Sequence, residues 1–162
     1  MDSVPDGLRL GSTEPREVEG FAVRLLAFYR LDGWTFGWDD ARRRLGLCDH
    51  RRRRVSVSRF FLASGPTPAS VEDTIRHETA HAIVGPGHGH DAVWKAKCRE
   101  IGARPIRCGT ADMPRGRWQA ACPRCGHGFH RHRRPPTGRR MWCRACGRDR
   151  GQLAFRLVGG EA

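Results

Sequence analysis

The chain has 162 residues and a formal net charge of +13, from 30 lysine and arginine residues against 17 acidic ones. No secretory signal, transmembrane run or internal repeat is visible, which argues against secreted, membrane-spanning and repeat proteins. We therefore expect a cytoplasmic protein that has no membrane partner and is long enough for one modest core plus a small appended module.

The first predicted element is a helix over residues 13–30, and it follows residues 1–12, which we expect to fray. Apolar residues recur in the helix at spacings of three and four, which is typical of an amphipathic helix. They are Val18, Phe21, Ala22, Leu25, Phe28 and Tyr29. Gly33 lies just beyond the predicted end, and we expect the apolar face to cover a sheet.

Two segments after this helix alternate apolar and polar residues as strands do. They are residues 34–38 and 55–58. The segment between them, residues 44–50, is predicted as a turn region, with basic runs at 42–44 and 51–54 on either side. Together these features predict a short β-hairpin or small sheet.

A longer helix is predicted to start at Ser70, because serine at an N-cap accepts a hydrogen bond from a free N–H group of the first turn. Asp73 lies three residues on, as in a variant of the capping box, and acidic residues suit a helix N-terminus. Gly85, Pro86 and Gly87 are expected to end the helix.

The pentapeptide His77-Glu78-Thr79-Ala80-His81 on this helix has the form H-E-x-x-H. Residues four apart share one helix face, so both imidazoles can converge on one zinc ion. A catalytic zinc site leaves a position for water, and Glu78 is placed to act on that water as a general base. The other interpretation is two histidines on a half-buried helix face beside a solvated glutamate.

A third ligand is expected just after the helix, where the sequence offers His88 and His90. A second helix is predicted to start near Asp91 and to end at Gly102. Its apolar side consists of Trp94, Cys98 and Ile101. His90 lies at the start of this helix, and on position alone both histidines remain candidates for the third ligand.

A helical H-E-x-x-H followed by a histidine that opens another helix resembles the SprT-like (Spartan-type) zinc metallopeptidase family. The family's second motif is H-G-x-x-F/W, and aligning it with residues 90–94 keeps an aromatic residue, Trp94, four positions after His90. The resemblance therefore implies that His90 is the third ligand, with His88 as the alternative. Asp91 stands where the family usually has glycine. The resemblance implies an α+β, zincin-like catalytic domain over residues 13–110, with an N-terminal helix, a short β-hairpin or sheet, the HExxH helix and a second helix.

Two C-x-x-C-G knuckles form a second strong motif, with Cys122 and Cys125 in the first and Cys143 and Cys146 in the second. The 17 residues between the knuckles are typical of a zinc ribbon, which we predict over residues 117–158 with a structural zinc ion. Two disulfides are the alternative. One of two nearby histidines, His127 or His130, could also replace a cysteine.

A ribbon of this size buries little apolar area, so metal binding has to supply much of its folding free energy. We expect a short β-sheet beside the zinc ion, formed around Trp118, Trp142, Leu153, Phe155 and Leu157. The other cysteines, Cys48, Cys98 and Cys108, are predicted to be small buried or half-buried residues.

Positive charge is concentrated in the C-terminal part, where residues 114–162 contain 12 arginines and two acidic residues. This distribution favours a nucleic-acid partner. The loop between the knuckles offers groups for phosphate contacts and base stacking. The candidates are Arg131, Arg133, Arg134, Arg139, Arg140 and Trp142, with His130 and His132 as further stacking groups. The alternative is an arginine-rich surface that is only solvated.

Together, the motifs and the resemblance imply a zinc metalloendopeptidase that acts on proteins bound or crosslinked to DNA, single-stranded or duplex, near the nucleoid. One catalytic Zn²⁺ would lie on His77, His81 and His90, and one structural Zn²⁺ on the four knuckle cysteines. Mn²⁺ or another divalent ion could occupy the three-histidine site. The alternative function is a non-proteolytic zinc-ribbon protein that binds nucleic acid or is associated with transcription.

Overall fold

The computed structural model describes residues 8–106 and 115–158, and the chain divides after residue 114 into two compact units. The predicted domain ranges, 13–110 and 117–158, lie on either side of this division. The α+β fold class is confirmed, since each unit combines helix with a three-stranded sheet. Over the described ranges, no helix is long and apolar enough to cross a membrane.

The first unit consists of four helices and three strands in the described residues. In chain order they are α1 (Pro15–Phe28), β1 (Thr35–Asp39), β2 (Gly46–Asp49), β3 (Arg54–Ser58), α2 (Arg59–Leu62), α3 (Pro68–Val84) and α4 (Ala92–Glu100). The predicted N-terminal helix is confirmed as α1. Its residues Val18, Phe21, Ala22 and Leu25 are fully buried in a core shared with β3 and α3.

The central strand of the first sheet is β3, which is parallel to β1 and antiparallel to β2. The hairpin therefore joins β2 to β3 through a turn at residues 50–53. The prediction of a turn at residues 44–50 is wrong over β2. Arginines 51–53 form the turn itself instead of flanking it, and residues 42–44 precede β2.

Gly46 explains why the β2 segment resembles a turn in the sequence. A Cβ atom at this position would lie 2.9 Å from Cγ of Glu78, 2.9 Å from the carbonyl oxygen of Ser56 and 3.0 Å from Cγ2 of Thr74. Glycine is required because α3 packs closely against the strand, and not because the chain turns. This close approach brings β2 next to Glu78.

The segment before α1 is tied down by a buried ion pair on α3. Nε of Arg76 donates to Oε1 of Glu72 at 2.9 Å, and its Nη2 donates to the carbonyl oxygen of Leu8 at 2.7 Å. The N–H group of Leu10 donates to Glu72 at 2.9 Å. The prediction that residues 1–12 fray is therefore wrong for this part of the segment, where Leu8 and Leu10 are buried; residues 1–7 lie outside the described residues.

Helix α3 begins two residues before the predicted N-cap. Thr67 is the N-cap, and its Oγ1 accepts the N–H group of Ser70 at 3.2 Å. Pro68 suits the first helical position because its fixed φ angle fits a helix and it has no N–H group to leave unpaired. Asp73 does not cap the helix. Its carboxylate accepts from the backbone N–H and Nε of Arg104, at 2.8 and 2.9 Å.

The predicted end of α3 and the predicted second helix are both confirmed. α3 ends at Val84, and Gly85 has a φ of 88°, which residues other than glycine rarely adopt. The second helix is α4, capped by Asp91. Its predicted apolar side is fully buried and consists of Trp94, Cys98 and Ile101.

The second unit contains β4 (Trp118–Ala121), β5 (Gly128–Arg131), α5 (Gly147–Arg150) and β6 (Arg156–Leu157). The strands form a sheet in the order β5-β4-β6, so a short sheet is confirmed; of the expected residues, Trp118 and Leu157 lie on its strands, whereas Leu153 and Phe155 lie outside them. Its core includes Ala120 and Leu153 together with Cys122 and Cys143. Trp142 lies outside the sheet and forms an isolated bridge to Gln152.

Candidate active site and metal centres

Three histidines of the first unit converge through their Nε2 atoms. His77 and His81 lie one turn apart on α3, and His90 comes from the loop before α4. Nε2 of His90 is 3.2 Å from Nε2 of His77 and 3.3 Å from Nε2 of His81. Two nitrogens that each lie about 2.05 Å from a tetrahedral zinc ion are about 3.3 Å apart. The donor set and its spacing therefore fit a zinc ion.

The other candidate third ligand, His88, is not part of this cluster. Its Nδ1 is 2.8 Å from Oδ2 of Asp91. The second carboxylate oxygen of Asp91 accepts the N–H group of Trp94 at 3.0 Å and caps α4. Asp91 thus occupies the family's glycine position as a helix cap, and it holds His88 while His90 joins the α3 histidines.

Trp94 forms an aromatic floor beneath the three imidazoles. Its ring centroid is 4.6 Å from that of His77, 5.0 Å from that of His81 and 4.5 Å from that of His90. The ring is fully buried and stacks nearly parallel to His81, at an interplanar angle of 20°. Packing against one rigid side chain restricts the rotamers of all three histidines, which pre-organises the cluster.

Burial keeps the α3 imidazoles neutral. It lowers the pKa of His77 to about 3 and that of His81 to about 4, and repulsion between the neighbouring imidazoles acts in the same direction. A neutral imidazole retains a lone pair on one ring nitrogen, which is the form that binds a metal ion. His77 and His81 are therefore in the ligating state at neutral pH.

Glu78 lies beside the cluster in a nearly water-free position, with 8% of its surface exposed. Burial raises the pKa of Glu78 to about 7, although a hydrogen bond from the N–H group of Cys48 and the charge of Arg44 both act to lower it. A carboxyl group with a pKa near neutrality exchanges protons readily at physiological pH. This matches the chemistry required of a general base.

The cluster and Glu78 open into a cleft of about 630 Å³. One wall is a continuous run from Arg43 to Cys48, with His50 beyond it, and Pro86 and His88 also line the cleft. Of these wall residues, His88 alone was considered for the site, as the alternative third ligand; the run from Arg43 to Cys48, His50 and Pro86 were not predicted as part of it. The residue that could have indicated this wall in the sequence is Gly46, between Leu45 and Leu47. This glycine permits the close approach of β2 to α3 and does not mark a turn.

The other cysteines of the first unit agree with the prediction where the structure describes them. Cys98 is fully buried, and Cys48 is half-buried with its Sγ 3.6 Å from Nε2 of His50. Burial and the nearby charge of Glu78 raise the pKa of the Cys48 thiol to about 12, so it remains protonated. Cys108 lies outside the described residues.

The four knuckle cysteines converge in the second unit. Their sulfur atoms all lie within 4.8 Å of one another, and those of Cys125 and Cys143 are 3.8 Å apart. Two thiolates that each lie about 2.3 Å from a tetrahedral zinc ion are about 3.8 Å apart. None of the four knuckle cysteines is in a disulfide, so the disulfide alternative is not realised there and the four-cysteine cluster supports the zinc ribbon.

The knuckle backbones direct donors toward sulfur. The N–H groups of Cys125 and Arg124 hold the pKa of the Cys122 thiol at about 7, below its usual range. The glycine after each pair, Gly126 and Gly147, has a positive φ of about 70° and donates its N–H group back to the first cysteine's carbonyl oxygen. This is the tight turn that the C-x-x-C-G pattern requires.

The two histidines near the first knuckle have other contacts. His127 packs edge-on against Phe129 at 4.9 Å between ring centroids. Nδ1 of His130 accepts the N–H group of Gly116 at 3.0 Å. The candidate metal group in this unit is therefore the four cysteines.

The ribbon arginines predicted for nucleic acid are not equivalent. Arg133, Arg134, Arg139 and Arg140 are all exposed, and the guanidinium of Arg134 also lies 5.8 Å from the ring centroid of Trp118. Nη1 of Arg131 donates to Sδ of Met141 at 3.4 Å. The guanidinium carbon of Arg148 lies over the ring of Trp142, 4.9 Å from the ring centroid. Arg148 was not among the predicted residues. Arginine stacked on tryptophan forms a flat cationic surface of the kind that unpaired bases stack on.

Comparison with known proteins gives one match. The chain matches the model of the SprT-like family over residues 21–113, which is more than half of its length and includes every residue of the histidine cluster. No curated protein and no solved structure matches the chain.

Proposed function

The chain belongs to the SprT-like family, and we propose that it is a zinc-dependent metalloendopeptidase that cleaves proteins bound or crosslinked to DNA. The observation that carries the proposal is the convergence of three Nε2 atoms beside a buried glutamate. A helix face that was only solvated would not bring a loop histidine within 3.3 Å of both helical ones.

In this proposal, His77, His81 and His90 hold the catalytic zinc ion. When bound, zinc supplies Lewis acidity, which polarises a peptide carbonyl and lowers the pKa of a water molecule. The three neutral imidazoles leave the ion's positive charge uncompensated, and this favours such chemistry. The rigid floor formed by Trp94 keeps the three ligands in place through the reaction.

Glu78 acts as the general base and then as the general acid. Its carboxylate accepts a proton from the attacking water and passes it to the nitrogen of the leaving amine. The N–H group of Cys48 fixes the carboxylate by a hydrogen bond, and Gly46 allows β2 to approach it without a steric clash. The two β2 residues therefore orient the base without reacting.

The second zinc ion, on Cys122, Cys125, Cys143 and Cys146, is structural in this proposal. All four positions are taken by thiolates, so no position remains open for water or substrate. The core of the ribbon is small, and metal binding supplies folding free energy that apolar burial does not.

DNA is the proposed platform that brings enzyme and substrate together. Exposed arginines on the ribbon pair with phosphates, and the Arg134–Trp118 and Arg148–Trp142 stacks offer flat surfaces for bases. Because the ribbon and the peptidase unit share one chain, DNA binding raises the local concentration of the peptidase around proteins on the same DNA.

The proposal is tested with the purified, zinc-loaded full chain and a protein that binds DNA. We expect cleavage that a metal chelator stops, that added zinc restores and that single-stranded or duplex DNA stimulates. Binding to DNA without cleavage of any protein in a broad panel, with both metal groups loaded, would instead support a nucleic-acid-binding protein without peptidase activity.

A further inference from the structure

One wall of the cleft is cationic at its rim. Arg43 and Arg44 line the cleft together with Glu78 and the three clustered histidines. Among the described residues that line it, Glu78 is the one acidic group. A rim with two guanidinium groups and no exposed carboxylate attracts anionic groups toward the catalytic centre.

The acidic residues around the cleft are already engaged within the protein. Asp39 accepts from Ser56 and Arg44 at 2.7 and 3.1 Å, Asp49 pairs with Arg52 at 3.6 Å, and Asp91 holds His88. Arg44 is thus partly neutralised by Asp39. Arg43 is exposed and has no ion pair within the described ranges, so its charge is available to a ligand.

Arg43 lies close to the catalytic centre along the chain, at a separation of a few residues. Cys48 marks the centre, because its N–H group bonds to Glu78, and Arg43 and Arg44 precede it by five and four positions. Extended chain spans at most about 3.6 Å per residue, so the backbone positions of both arginines lie within about five residues' length of Cys48, measured along an extended peptide.

Resting on the proposed peptidase function, we infer that the cleft selects peptides that carry a carboxylate within about five residues of the scissile bond, with Arg43 as the main recognition residue and Arg44 beside it. The carboxylate is either an acidic side chain or the C-terminal group of the peptide. Planar guanidinium groups pair well with carboxylates, through two parallel hydrogen bonds.

A peptide fits this cleft better than a nucleic-acid strand. Sites for single-stranded nucleic acid combine positive charge with aromatic rings on which bases stack. The described lining contains no phenylalanine, tyrosine or tryptophan, and its apolar part consists of Leu45, Leu47 and Pro86. Trp94, the nearest aromatic floor, is fully buried.

The test starts from a protein substrate whose cleaved bond is mapped by mass spectrometry. Peptides around that bond are made with aspartate, asparagine or lysine at single positions on either side, all with amidated C-termini. A further peptide has neutral side chains and a free C-terminus. We expect kcat/KM to be at least about tenfold higher for a carboxylate-bearing peptide than for its lysine counterpart. The position that responds, or the free C-terminus, identifies the source of the carboxylate.

The variant Arg43→Glu should reverse this preference toward lysine, and Arg24→Glu is its charge-matched control. Arg24 is exposed on α1 and does not line the cleft, so that variant should retain the wild-type preference. Equal preferences in both variants, or equal kcat/KM for aspartate, asparagine and lysine peptides, would overturn the inference. Loss of single-stranded DNA affinity in Arg43→Glu with an unchanged peptide preference would also overturn it and assign Arg43 to a nucleic-acid surface.

Binding separates this inference from the proposed function. The zinc-loaded Glu78→Gln variant is titrated with fluorescent aspartate and lysine peptides, and fluorescence anisotropy reports affinity without hydrolysis. Tighter binding of the aspartate peptide, abolished by adding Arg43→Glu, supports the cleft preference even if the wild-type protein cleaves nothing. Cleavage without any charge preference contradicts the inference and leaves the peptidase proposal intact.

Discussion

His90 reaches the histidine cluster from a loop, whereas His77 and His81 are fixed by the repeat of α3. The helical pair could be predicted from sequence, because a spacing of four places two side chains on one face. The third histidine could not be derived in this way, since no periodicity fixes the loop after Gly85. Asp91 decides between the candidates by holding His88 and capping α4.

Replacing His90 with alanine should weaken zinc binding to the first unit by more than about 100-fold, because loss of a direct ligand costs more than loss of a group that only orients one. The matched variant His88→Ala should change zinc affinity by less than about tenfold. Competition with a chromophoric zinc chelator measures both. A larger loss in His88→Ala than in His90→Ala would show that the loop histidines have been assigned in the wrong order.

Helix α3 begins at a cap that the sequence pattern did not single out. Both Thr67 and Ser70 are good N-cap residues, and the pattern of later acidic residues favoured Ser70. Pro68 decides the matter, because proline fits the first turn and the residue before it is held in extended backbone. Thr67 indeed has a ψ of 154° and accepts the N–H group of Ser70.

Thr67→Ala should destabilise the first unit by about 1 kcal/mol, which is the usual cost of losing a side-chain cap. Ser70→Ala should cost less than half as much, since the Ser70 side chain caps no N–H group of the helix. Chemical denaturation followed by tryptophan fluorescence gives both values for the zinc-free protein. Equal losses in the two variants would restore Ser70 as the cap.

The strand β2 was missed for a different physical reason. It has four residues, and its glycine reads as a turn signal when only local sequence is considered. The strand exists because Cys48 pairs with Val55 on β3 and because Glu78 and Thr74 pack against Gly46. Such contacts join residues that are distant in sequence, so local patterns could not reveal this cleft wall.

At the scale of the whole molecule, the described residues contain two candidate metal groups, one in each compact unit. The ribbon could be predicted well from sequence, since knuckle spacing alone brings the four thiols together. The α+β class and the main helices also followed from periodicity. The strand order of the first sheet could not be predicted in this way, because β3 lies between β1 and β2, which are neighbours in the sequence.

Metal analysis of the full chain should give two zinc ions per protein. The double variant His77→Ala/His81→Ala should retain one, and Cys122→Ser/Cys125→Ser should also retain one while the ribbon loses its fold. Elemental analysis after gel filtration measures the ratio. A wild-type protein with one zinc ion, lost in the cysteine variant and unaffected in the histidine variant, would leave the histidine cluster without a metal role.

The role of Glu78 as the general base is tested by the hydrolytic rate of Glu78→Gln, compared with that of the wild-type protein and of Glu17→Gln, an exposed control on α1. All three should bind two zinc ions. Removal of the general base should lower the rate of protein cleavage by at least about 100-fold, while Glu17→Gln cleaves at the wild-type rate. A zinc-loaded Glu78→Gln protein that cleaves as fast as wild type would show that Glu78 is not the general base.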